Sequence, residues 1–393
     1  MNILYHHRTR GKDVERVHIL GMVRAFRELG HTVYIVSPPG TDLDGEEGMD
    51  LHALKNGKRE IWRRVSNYFP EIFFEFIEIL YNVFAFVQMV FVTRKKKIDF
   101  VYERYALFSF AGVLFSKTHR TPILLEINDS AIVERNRKVF FLKIARRIEQ
   151  WIFYHASGVI TVSNVFKKIV ISQGGEKERT FVTQNAIDPH DFTISVNERH
   201  LVRKRYQLHE KMVIGYVGGF SYWHKLDFLL DAIANLIEIY PNIHCFLIGD
   251  GVTRPLLVEK AKKMAIEGHF TFTGKCQHIQ IAAHISAMDI AILPDANGYC
   301  SPVKLFEYMA MGKPVLAPRL PNVNEILTSG LNGILFEPGD REDLERCLSE
   351  IIDNEELRRN LGSNGRRTVY KEHLWIHNAR KILRFCGDLG IPW

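Results

Sequence analysis

The sequence predicts an α/β protein made of two doubly wound, Rossmann-like parallel-sheet domains. Apolar runs alternate with helical patterns along the whole chain, which is the order that βαβ units produce. The runs are short, rich in Val, Ile, Leu and Phe, and lack polar alternation, as is typical of strands covered on both faces. A chain of 393 residues also exceeds the usual size of one α/β core, so two domains are expected.

Twelve apolar runs are predicted as strands, six in each half of the chain. They are residues 2–6, 32–37, 99–102, 123–127, 158–163, 181–185, 213–217, 244–248, 270–273, 290–293, 314–317 and 333–336. The first domain is expected to cover residues 1–190 and the second residues 191–372, with residues 373–393 crossing back to the first as a helix. Two such domains in series predict a cleft, and ligands of open α/β sheets bind beyond the carboxyl ends of the strands.

The composition limits the classes of partner. The formal net charge is +7 and the pI about 9.0, which favours an acidic partner such as a nucleotide phosphate or an anionic membrane surface. No recognised nucleic-acid module accompanies the charge, so nucleic acid is not expected. The five cysteines have no paired spacing and no leader pattern opens the chain, so we predict reduced thiols in a cytoplasmic protein.

One apolar stretch, residues 72–92, raises the question of a membrane span. Glu75 and Glu78 interrupt it, and its uncharged part, residues 79–93, is shorter than the roughly 20 residues that span a bilayer. We therefore expect no transmembrane helix. Basic residues interleave with aromatic ones at 94–97 and 135–147, which favours peripheral contact with the anionic inner face of the cell membrane. The alternative is two helices with ordinary solvated faces.

The loop after the first strand is a candidate for binding phosphate or acceptor. Arg10, Gly11, Lys12 and Asp13 precede a predicted helix, and a helix start offers backbone amides and positive charge to an anion. The alternative is an ordinary βα loop capped by Asp13. The Gly-x-Gly-x-x-Gly spacing is missing here, which weighs against a dinucleotide-dependent dehydrogenase.

Two further loops are candidates for binding a donor nucleotide in the second domain. Glycines at the end of a strand let the backbone approach a ligand closely, and basic residues after them suit an anionic group. Both loops also match common turn chemistry. The candidate residues are Gly218, Gly219, His224 and Lys225 in the first loop, and Gly274, Lys275 and Cys276 in the second.

The most specific pattern is the run from residue 301 to 315, Ser-Pro-Val-Lys-Leu-Phe-Glu-Tyr-Met-Ala-Met-Gly-Lys-Pro-Val. A helix beginning near the proline would point its amides at a diphosphate. Lys304 could neutralise phosphate charge, and Glu307, one turn later, could accept hydrogen bonds from ribose hydroxyls. The alternative is a plain surface helix with a supporting charge pair. The residues assigned to donor binding here are Ser301, Pro302, Val303, Lys304, Leu305 and Glu307.

Taken together, these motifs resemble glycosyltransferase family 4, a retaining group with the GT-B fold. The resemblance covers nearly the whole chain. It rests on the order and spacing, along the chain, of residues 27–33, 162–164, 185–188, 249–251, 307–315 and Trp375. It implies transfer of a sugar from a UDP- or GDP-linked donor without a metal. It also implies that Glu307 binds the donor ribose and that the amides near Val303 and Lys304 hold the diphosphate. The loop at 274–276 would border the base, and the loop around Gly11 the acceptor and diphosphate.

Four positions depart from the commonest pattern of that family. Tyr299 stands in place of an acidic residue, Gly219 and His224 in place of two cations, and Asn128 in place of a histidine after the fourth strand. We infer that Lys304, with His224 and Lys225, supplies the positive charge. Asn128 and the loop at 11–13 are the candidates for holding the reacting sugar or the acceptor, so the predicted catalytic residues are Asn128, Lys304 and Glu307.

The predicted activity is therefore retaining hexosyl transfer to a lipid-linked, polysaccharide or lipopolysaccharide acceptor. Asp42 and Asp44 resemble the metal motif of another glycosyltransferase fold, but their loop is rich in Pro, Gly and Asp and favours solvated turn acids. Two rivals stay open. One is another enzyme on the same scaffold, a nucleotide-sugar epimerase or a phosphorylase. The other is a catalytically silent GT-B subunit that binds a partner.

Overall fold

The computed structural model of the chain describes residues 1–9, 14–38, 71–133, 139–193 and 195–391. Its contacts divide the chain into two compact units. Unit 1 comprises Met1–Val162, Phe166–Thr183 and Ala379–Trp393, and unit 2 comprises Ser163–Val165 and Gln184–Asn378. The division falls at residues 183 and 378, where the sequence pattern placed it at 190 and 372.

Unit 1 holds a six-stranded, wholly parallel sheet with the strand order β2-β1-β3-β4-β5-β6. Its strands are β1 (Asn2–His7), β2 (Thr32–Val36), β3 (Phe100–Arg104), β4 (Ile123–Ile127), β5 (Gly158–Thr161) and β6 (Thr180–Val182). The helices described in this part of the chain are α1 (Val14–Glu28), α2 (Glu71–Thr93), α3 (Ala111–His119), α4 (Leu142–His155) and α5 (Asn164–Ser172).

Unit 2 repeats the architecture with the strand order β12-β11-β10-β7-β8-β9, again all parallel. Its strands are β7 (Met212–Val217), β8 (Ile243–Ile248), β9 (Phe270–Phe272), β10 (Ile290–Ile292), β11 (Val315–Pro318) and β12 (Ile334–Phe336). The helices from here to the end of the described chain are α6 (Val196–Arg205), α7 (Leu226–Ile237), α8 (Arg254–Lys263), α9 (Ile281–Ser286), α10 (Val303–Ala310), α11 (Arg341–Asp353), α12 (Glu355–Glu372) and α13 (Trp375–Asp388).

All twelve predicted strands are present, which confirms two doubly wound parallel sheets. The central strands are buried along their whole length, β4 and β8 among them, because helices cover both faces of each sheet. Helix starts follow local capping chemistry. Ser195 and Glu198 form a reciprocal capping box at the start of α6, and Asp340 caps α11.

The strand orders place one topological switch point in each sheet, where the direction of strand addition reverses. In unit 1 the switch lies between β1 and β3, and in unit 2 between β7 and β10. Ligands of doubly wound sheets bind outside the carboxyl ends of the strands at such points. The candidate ligand-binding segments are therefore those that follow these four strands.

Helix α13 begins in unit 2 and continues in unit 1 from Ala379 onward. In unit 1 its Phe385 ring stacks on the Phe181 ring at a centroid distance of 5.2 Å. A side chain at Gly158 would come within 2.7 Å of Leu389 and would crowd Phe385, so a glycine in β5 lets the helix approach the sheet. Residues 379–393 thus belong to unit 1, and the sequence analysis predicted that residues 373–393 return to the first domain.

Helix α2 contains the apolar stretch of residues 72–92. It is one continuous helix of 23 residues, and its segment Phe73–Thr93 is long and apolar enough, by length and composition, to cross a membrane. Glu75 and Glu78 lie inside this helix, so the length of the uncharged run alone does not exclude a span. That the helix does not cross a membrane stays a prediction. The part of the predicted helix before Glu71 lies outside the described residues.

Candidate active site

Three glycines line the carboxyl ends of β7, β8 and β9 in unit 2. Gly218, Gly249 and Gly274 all have positive φ angles, of +145°, +136° and +77°. The Gly218 N–H donates to the Ile248 carbonyl at 2.9 Å, and the Gly249 N–H donates to the Gly274 carbonyl at 3.1 Å. Side chains are disfavoured in this backbone region, so the edge of the sheet carries little but backbone where a ligand would approach.

Replacing Gly249 with alanine is expected to destabilise unit 2 by about 2–4 kcal/mol. The new Cβ would collide with the Gly218 carbonyl oxygen and would also sit at a φ of +136°. Gly268 is the matched control, because its φ is not positive and a Cβ there meets no atom within 4 Å. Denaturant unfolding measures both variants. Equal midpoints for Gly249→Ala and Gly268→Ala would contradict the close approach of the two strand ends.

The loop between β10 and α10 is held by side chains from distant parts of unit 2. The Asn185 backbone N–H donates to the Ser301 hydroxyl at 3.0 Å, and the Asn185 amide donates to the Ser301 carbonyl at 2.6 Å. The Ser163 hydroxyl donates to the Tyr299 carbonyl at 2.6 Å. Asn322 donates to the Cys300 carbonyl at 2.7 Å. The Ser163 and Asn185 motif residues thus act as supports that fix the entry to α10.

Helix α10 begins at Val303, and Pro302 is its N-cap rather than its first helical residue. A proline at this position supplies no capping side chain, and the first turn carries no acidic residue. Within the described residues the Val303 and Lys304 N–H groups have no acceptor, whereas the Leu305 N–H bonds to the Pro302 carbonyl at 3.1 Å. Two free amides at a helix start favour an anion. Leu305 does not fit its predicted role, since its side chain lies in the core.

Lys304 turns back toward β7 and the loop that follows it. Its ammonium donates to the Tyr216 hydroxyl at 2.9 Å and lies 3.3 Å from His224 Nε2 and 4.4 Å from the Tyr216 ring centroid. A Cβ at Gly218 would be 2.8 Å from the same ammonium, which explains the glycine there. Burial lowers the pKa of Lys304 to about 8. A partly buried cation with three N–H donors and two neutral partners is suited to an incoming anion.

His224 and Lys225 do not supply free positive charge. Burial and the neighbouring Lys304 ammonium lower the pKa of His224 to about 3, so the imidazole is neutral and can accept a hydrogen bond from Lys304. Lys225 forms an ion pair with Asp295 at 2.7 Å. The expectation that both add cationic charge at a phosphate is therefore corrected. Lys304, on α10 next to this loop, is a cation that forms no ion pair among the described residues.

The affinity of this site for a nucleoside diphosphate is expected to fall as the pH rises through about 8. A bound diphosphate would stabilise the ammonium of Lys304, so the pKa of the bound form lies above that of the free form. Affinity is then greatest below pH 8 and declines above it, up to about tenfold per pH unit. His224 stays neutral over this range. Titration calorimetry from pH 7 to pH 9.5 measures the effect. An affinity that does not change with pH would contradict the role of Lys304. The affinity of the Lys304→Met variant should not change with pH over this range.

Glu307 projects from the second turn of α10 and is 8% exposed. Burial raises the pKa of its carboxyl, while the charges of His278 and Lys304 oppose the rise. Within the described residues the carboxylate accepts no hydrogen bond. His278 Nε2 lies 3.7 Å from the Asp191 carboxylate. This contact and the Glu307 charge raise the pKa of His278, while burial opposes the rise. A buried carboxylate that accepts no hydrogen bond lowers the stability of the fold, and it can accept hydrogen bonds from hydroxyl groups of a ligand.

The loop after β9 contributes a backbone turn and two side chains. Gly274 forms the positive-φ turn, Lys275 is exposed, and Cys276 is partly buried with its thiol 3.6 Å from His284 Nδ1. Burial raises the pKa of Cys276, so this thiol is not an activated nucleophile. The loop lies at the carboxyl edge of the β7–β8–β9 part of the sheet. Its predicted contact with the donor base stays a prediction.

A second polar cluster lies in unit 1 around Glu126, at the end of β4. Glu126 accepts hydrogen bonds at 2.7 Å from Tyr102, Arg104 and Asn128, and His18 lies 3.3 Å away. Burial alone would raise the pKa of Glu126, but His18, Arg104 and the hydrogen bonds lower it below its usual value. Asn128 is thus held in place by Glu126. Its predicted catalytic role stays a prediction.

The switch point of unit 1 brings further buried polar atoms together. His6 Nδ1 is 2.7 Å from Glu103, and both side chains are fully buried. Burial lowers the pKa of His7 to about 4. Among the described residues no partner is found for four buried polar atoms in this region, which are Tyr5 Oη, His6 Nε2, His7 Nε2 and Tyr81 Oη. Such atoms are expected to meet water or a ligand.

Sequence reasoning missed several of these residues. Glu103 and Glu126 could have been found, because a carboxylate inside an otherwise apolar buried strand needs partners. The pairing of His278 with Asp191 near Glu307 has no local signal, since 87 positions of chain separate the two residues. Arg10, Gly11, Lys12 and Asp13, like Asp42 and Asp44, lie outside the described residues. Among the described residues no group of three or more His, Cys, Asp or Glu side chains is arranged to hold a metal.

Comparison with known families identifies the chain. The family described as glycosyl transferases group 1 matches residues 198–368, and Glycosyltransferase Family 4 matches residues 16–191. The chain belongs to the family 4 glycosyltransferases. Both matches fall on the elements described above, one on unit 1 and one on unit 2, so the resemblance stated from the motifs is confirmed.

Individual relatives of this glycosyltransferase are distant. An uncharacterized glycosyltransferase of Methanocaldococcus jannaschii is 31% identical over 179 residues, which span 44% of this chain and 48% of that protein. The N-acetyl-alpha-D-glucosaminyl L-malate synthase of Bacillus anthracis is 21% identical over 85% of this chain and 88% of its own length. The solved structure of Anabaena HepE in complex with UDP has a TM-score of 0.73 and 17% identity, covering 99% of this chain and all of that one. This last likeness shows the GT-B fold.

Proposed function

We propose that this glycosyltransferase transfers a hexosyl group from a UDP- or GDP-linked donor, with retention of anomeric configuration and without a metal. The observation that carries the proposal is the presence of Lys304 and Glu307 one turn apart on α10, at the switch point of the unit 2 sheet. Lys304 is a cation that contacts neutral side chains, and Glu307 is a buried carboxylate that accepts no hydrogen bond from the residues the structure describes. A diphosphate would supply negative charge next to Lys304, and a ribose diol would supply hydrogen-bond donors to Glu307.

The proposed reaction breaks the bond between the anomeric carbon and the diphosphate oxygen and forms a bond to the acceptor oxygen on the same face. The electron pair of the broken bond stays on the diphosphate. The Val303 and Lys304 amides and the Lys304 ammonium stabilise that negative charge. The acceptor hydroxyl proton passes to the leaving phosphate oxygen, so the products are a glycoside and a nucleoside diphosphate. This scheme needs no nucleophile from the protein.

The proposed acceptor is a lipid-linked, polysaccharide or lipopolysaccharide intermediate at the inner surface of the membrane. We propose that its hydroxyl groups meet polar atoms at the switch point of unit 1. Tyr5, His6, His7 and Tyr81 each have a buried polar atom there that finds no partner in the described part of the chain. Asn128 and the loop at 11–13 stay the candidates for orienting the reacting groups. The fixed position of Asn128 on Glu126 supports this assignment.

Release of nucleoside diphosphate, measured across UDP- and GDP-hexoses with a pool of lipid-linked acceptors, tests the proposal. We expect release only when acceptor is present, unchanged in EDTA, with a product that NMR shows to have the donor's anomeric configuration. Release of sugar 1-phosphate, or interconversion of donors without acceptor, would indicate a phosphorylase or an epimerase. Absence of thermal stabilisation by every nucleotide would favour the catalytically silent subunit.

A further inference from the structure

Helix α2 is arranged with its polar side chains inward and its apolar side chains outward. Eight large apolar side chains on it are exposed, with exposed fractions between 37% and 73%. We call these residues the α2 outer face. They are Phe73, Phe76, Ile77, Leu80, Val83, Phe84, Val87 and Phe91. The exposed positions described on α2 include no charged residue. A contiguous apolar surface of this kind on a folded protein marks an interaction site.

The inward side of α2 is fixed to unit 1 by hydrogen bonds. The buried Glu75 carboxylate accepts the backbone N–H groups of Phe140 and Phe141, at 2.8 and 2.9 Å. The Asn82 amide oxygen accepts the N–H groups of Phe110 and Ala111, at 2.7 and 2.9 Å, and thereby caps α3. Removal of α2 from the unit would leave these amides unsatisfied. The helix is therefore not free to leave unit 1 and cross a bilayer on its own.

The apolar surface continues beyond α2 and has a basic border. Phe140 and Ile144, at the start of α4, are 48% and 45% exposed, and the Phe76 and Phe141 rings are 5.3 Å apart. The segments that carry or directly follow this surface also hold exposed basic residues, which are Arg94, Lys95, Lys96 and Lys97 after α2, and Lys143, Arg146 and Arg147 on α4. Apolar side chains beside exposed cations match the interface of a membrane with anionic lipids.

We infer that the α2 outer face inserts into the headgroup boundary of an anionic bilayer, with helix α2 lying in the plane of the membrane. A helix of 23 residues extends about 35 Å, so the face is long enough for several lipid contacts along one line. The basic border argues for lipid over a second copy of this chain, because two copies meeting at this face would bring like charges together. The inference goes beyond the proposed reaction, since it assigns a binding surface that needs no donor or acceptor.

Flotation of the full-length chain with vesicles tests the inference. We expect binding to vesicles of phosphatidylcholine with phosphatidylglycerol, and at least tenfold weaker binding for the double variant Leu80→Glu, Val83→Glu. Both positions are about two-thirds exposed, so the fold is retained. The matched control, Leu201→Glu with Ile239→Glu, changes two equally exposed apolar residues of unit 2 and should bind like the unaltered chain. Lys143→Ser with Arg147→Ser should reduce the preference for phosphatidylglycerol at least threefold.

The depth to which the α2 outer face inserts is measured with the Val83→Trp variant. The fluorescence of the introduced tryptophan should be quenched by lipids brominated on the acyl chain. Three results would overturn the inference. One is that the unaltered chain does not bind vesicles of phosphatidylcholine with phosphatidylglycerol. Another is equal binding by the α2 variant and its control. The third is a dimer in solution that the Leu80→Glu, Val83→Glu variant disrupts, which would make the face an interface between copies. None of these measurements uses a donor, so failure here leaves the proposed reaction standing.

Discussion

Replacement of Glu307 by alanine is expected to weaken the binding of UDP or GDP, whichever the chain selects, by about 100-fold. The carboxylate would accept hydrogen bonds from both ribose hydroxyls in a buried setting, and their loss costs about 2–3 kcal/mol. Because burial raises the pKa of Glu307, the charged carboxylate destabilises the folded protein. The variant should therefore stay folded, with a thermal midpoint close to that of the unaltered chain.

Titration calorimetry and thermal unfolding together measure this prediction. Glu238→Ala is the matched control, because Glu238 is an exposed glutamate at the end of α7 in the same unit. Its affinity for nucleotide should equal that of the unaltered chain. A Glu307→Ala variant that binds nucleotide normally would remove the ribose assignment. A variant that unfolds would show that the residue serves the fold instead.

Replacement of Lys304 by methionine is expected to lower kcat by 100- to 1,000-fold. The charge that develops on the leaving diphosphate loses its ammonium partner, and loss of one such stabilising group costs about 3–4 kcal/mol in the transition state. Affinity for the nucleotide should fall as well, by a smaller factor, since the helix amides stay in place. Methionine has a similar length and no charge to bury, so stability should not decrease.

Steady-state kinetics and nucleotide titrations separate the two effects of this change. Lys263→Met is the matched control, since Lys263 is an exposed lysine of unit 2 that pairs with Glu259 at 2.7 Å. It should have the kcat of the unaltered chain. A Lys304→Met enzyme with unchanged kcat would place the charge stabilisation elsewhere. A loss of affinity as large as the loss in kcat would mean that Lys304 binds ground state and transition state equally.

The fold could be predicted almost completely from the sequence. Buried parallel strands are apolar along most of their length, so each of the twelve appears as a short, mainly apolar run, and the βα alternation then limits the topology. The helix from Val303 was also predictable, because Pro302 precedes it and Gly312 follows it at a φ of +64°. These are local signals that tertiary packing does not reverse.

The directions of side chains could not be predicted in the same way. Lys304 and Glu307 are one turn apart, yet Lys304 contacts Tyr216 and His224 across the switch point, and within the described residues it forms no ion pair with Glu307. The neutrality of His224 follows from burial that only the packed unit creates. The α2 outer face could not be predicted from the sequence for a related reason. Glu75 and Asn82 look like interruptions of an apolar helix, although they point inward to backbone amides.

A crystal structure of the chain with bound nucleoside diphosphate would show whether Lys304 and Glu307 bind the nucleotide. We predict ribose oxygens within about 3 Å of the Glu307 carboxylate, and phosphate oxygens within about 3 Å of the Val303 or Lys304 amide and of the Lys304 ammonium. A nucleotide bound to unit 2 away from α10, or bound to α10 with its ribose directed away from Glu307, would contradict it.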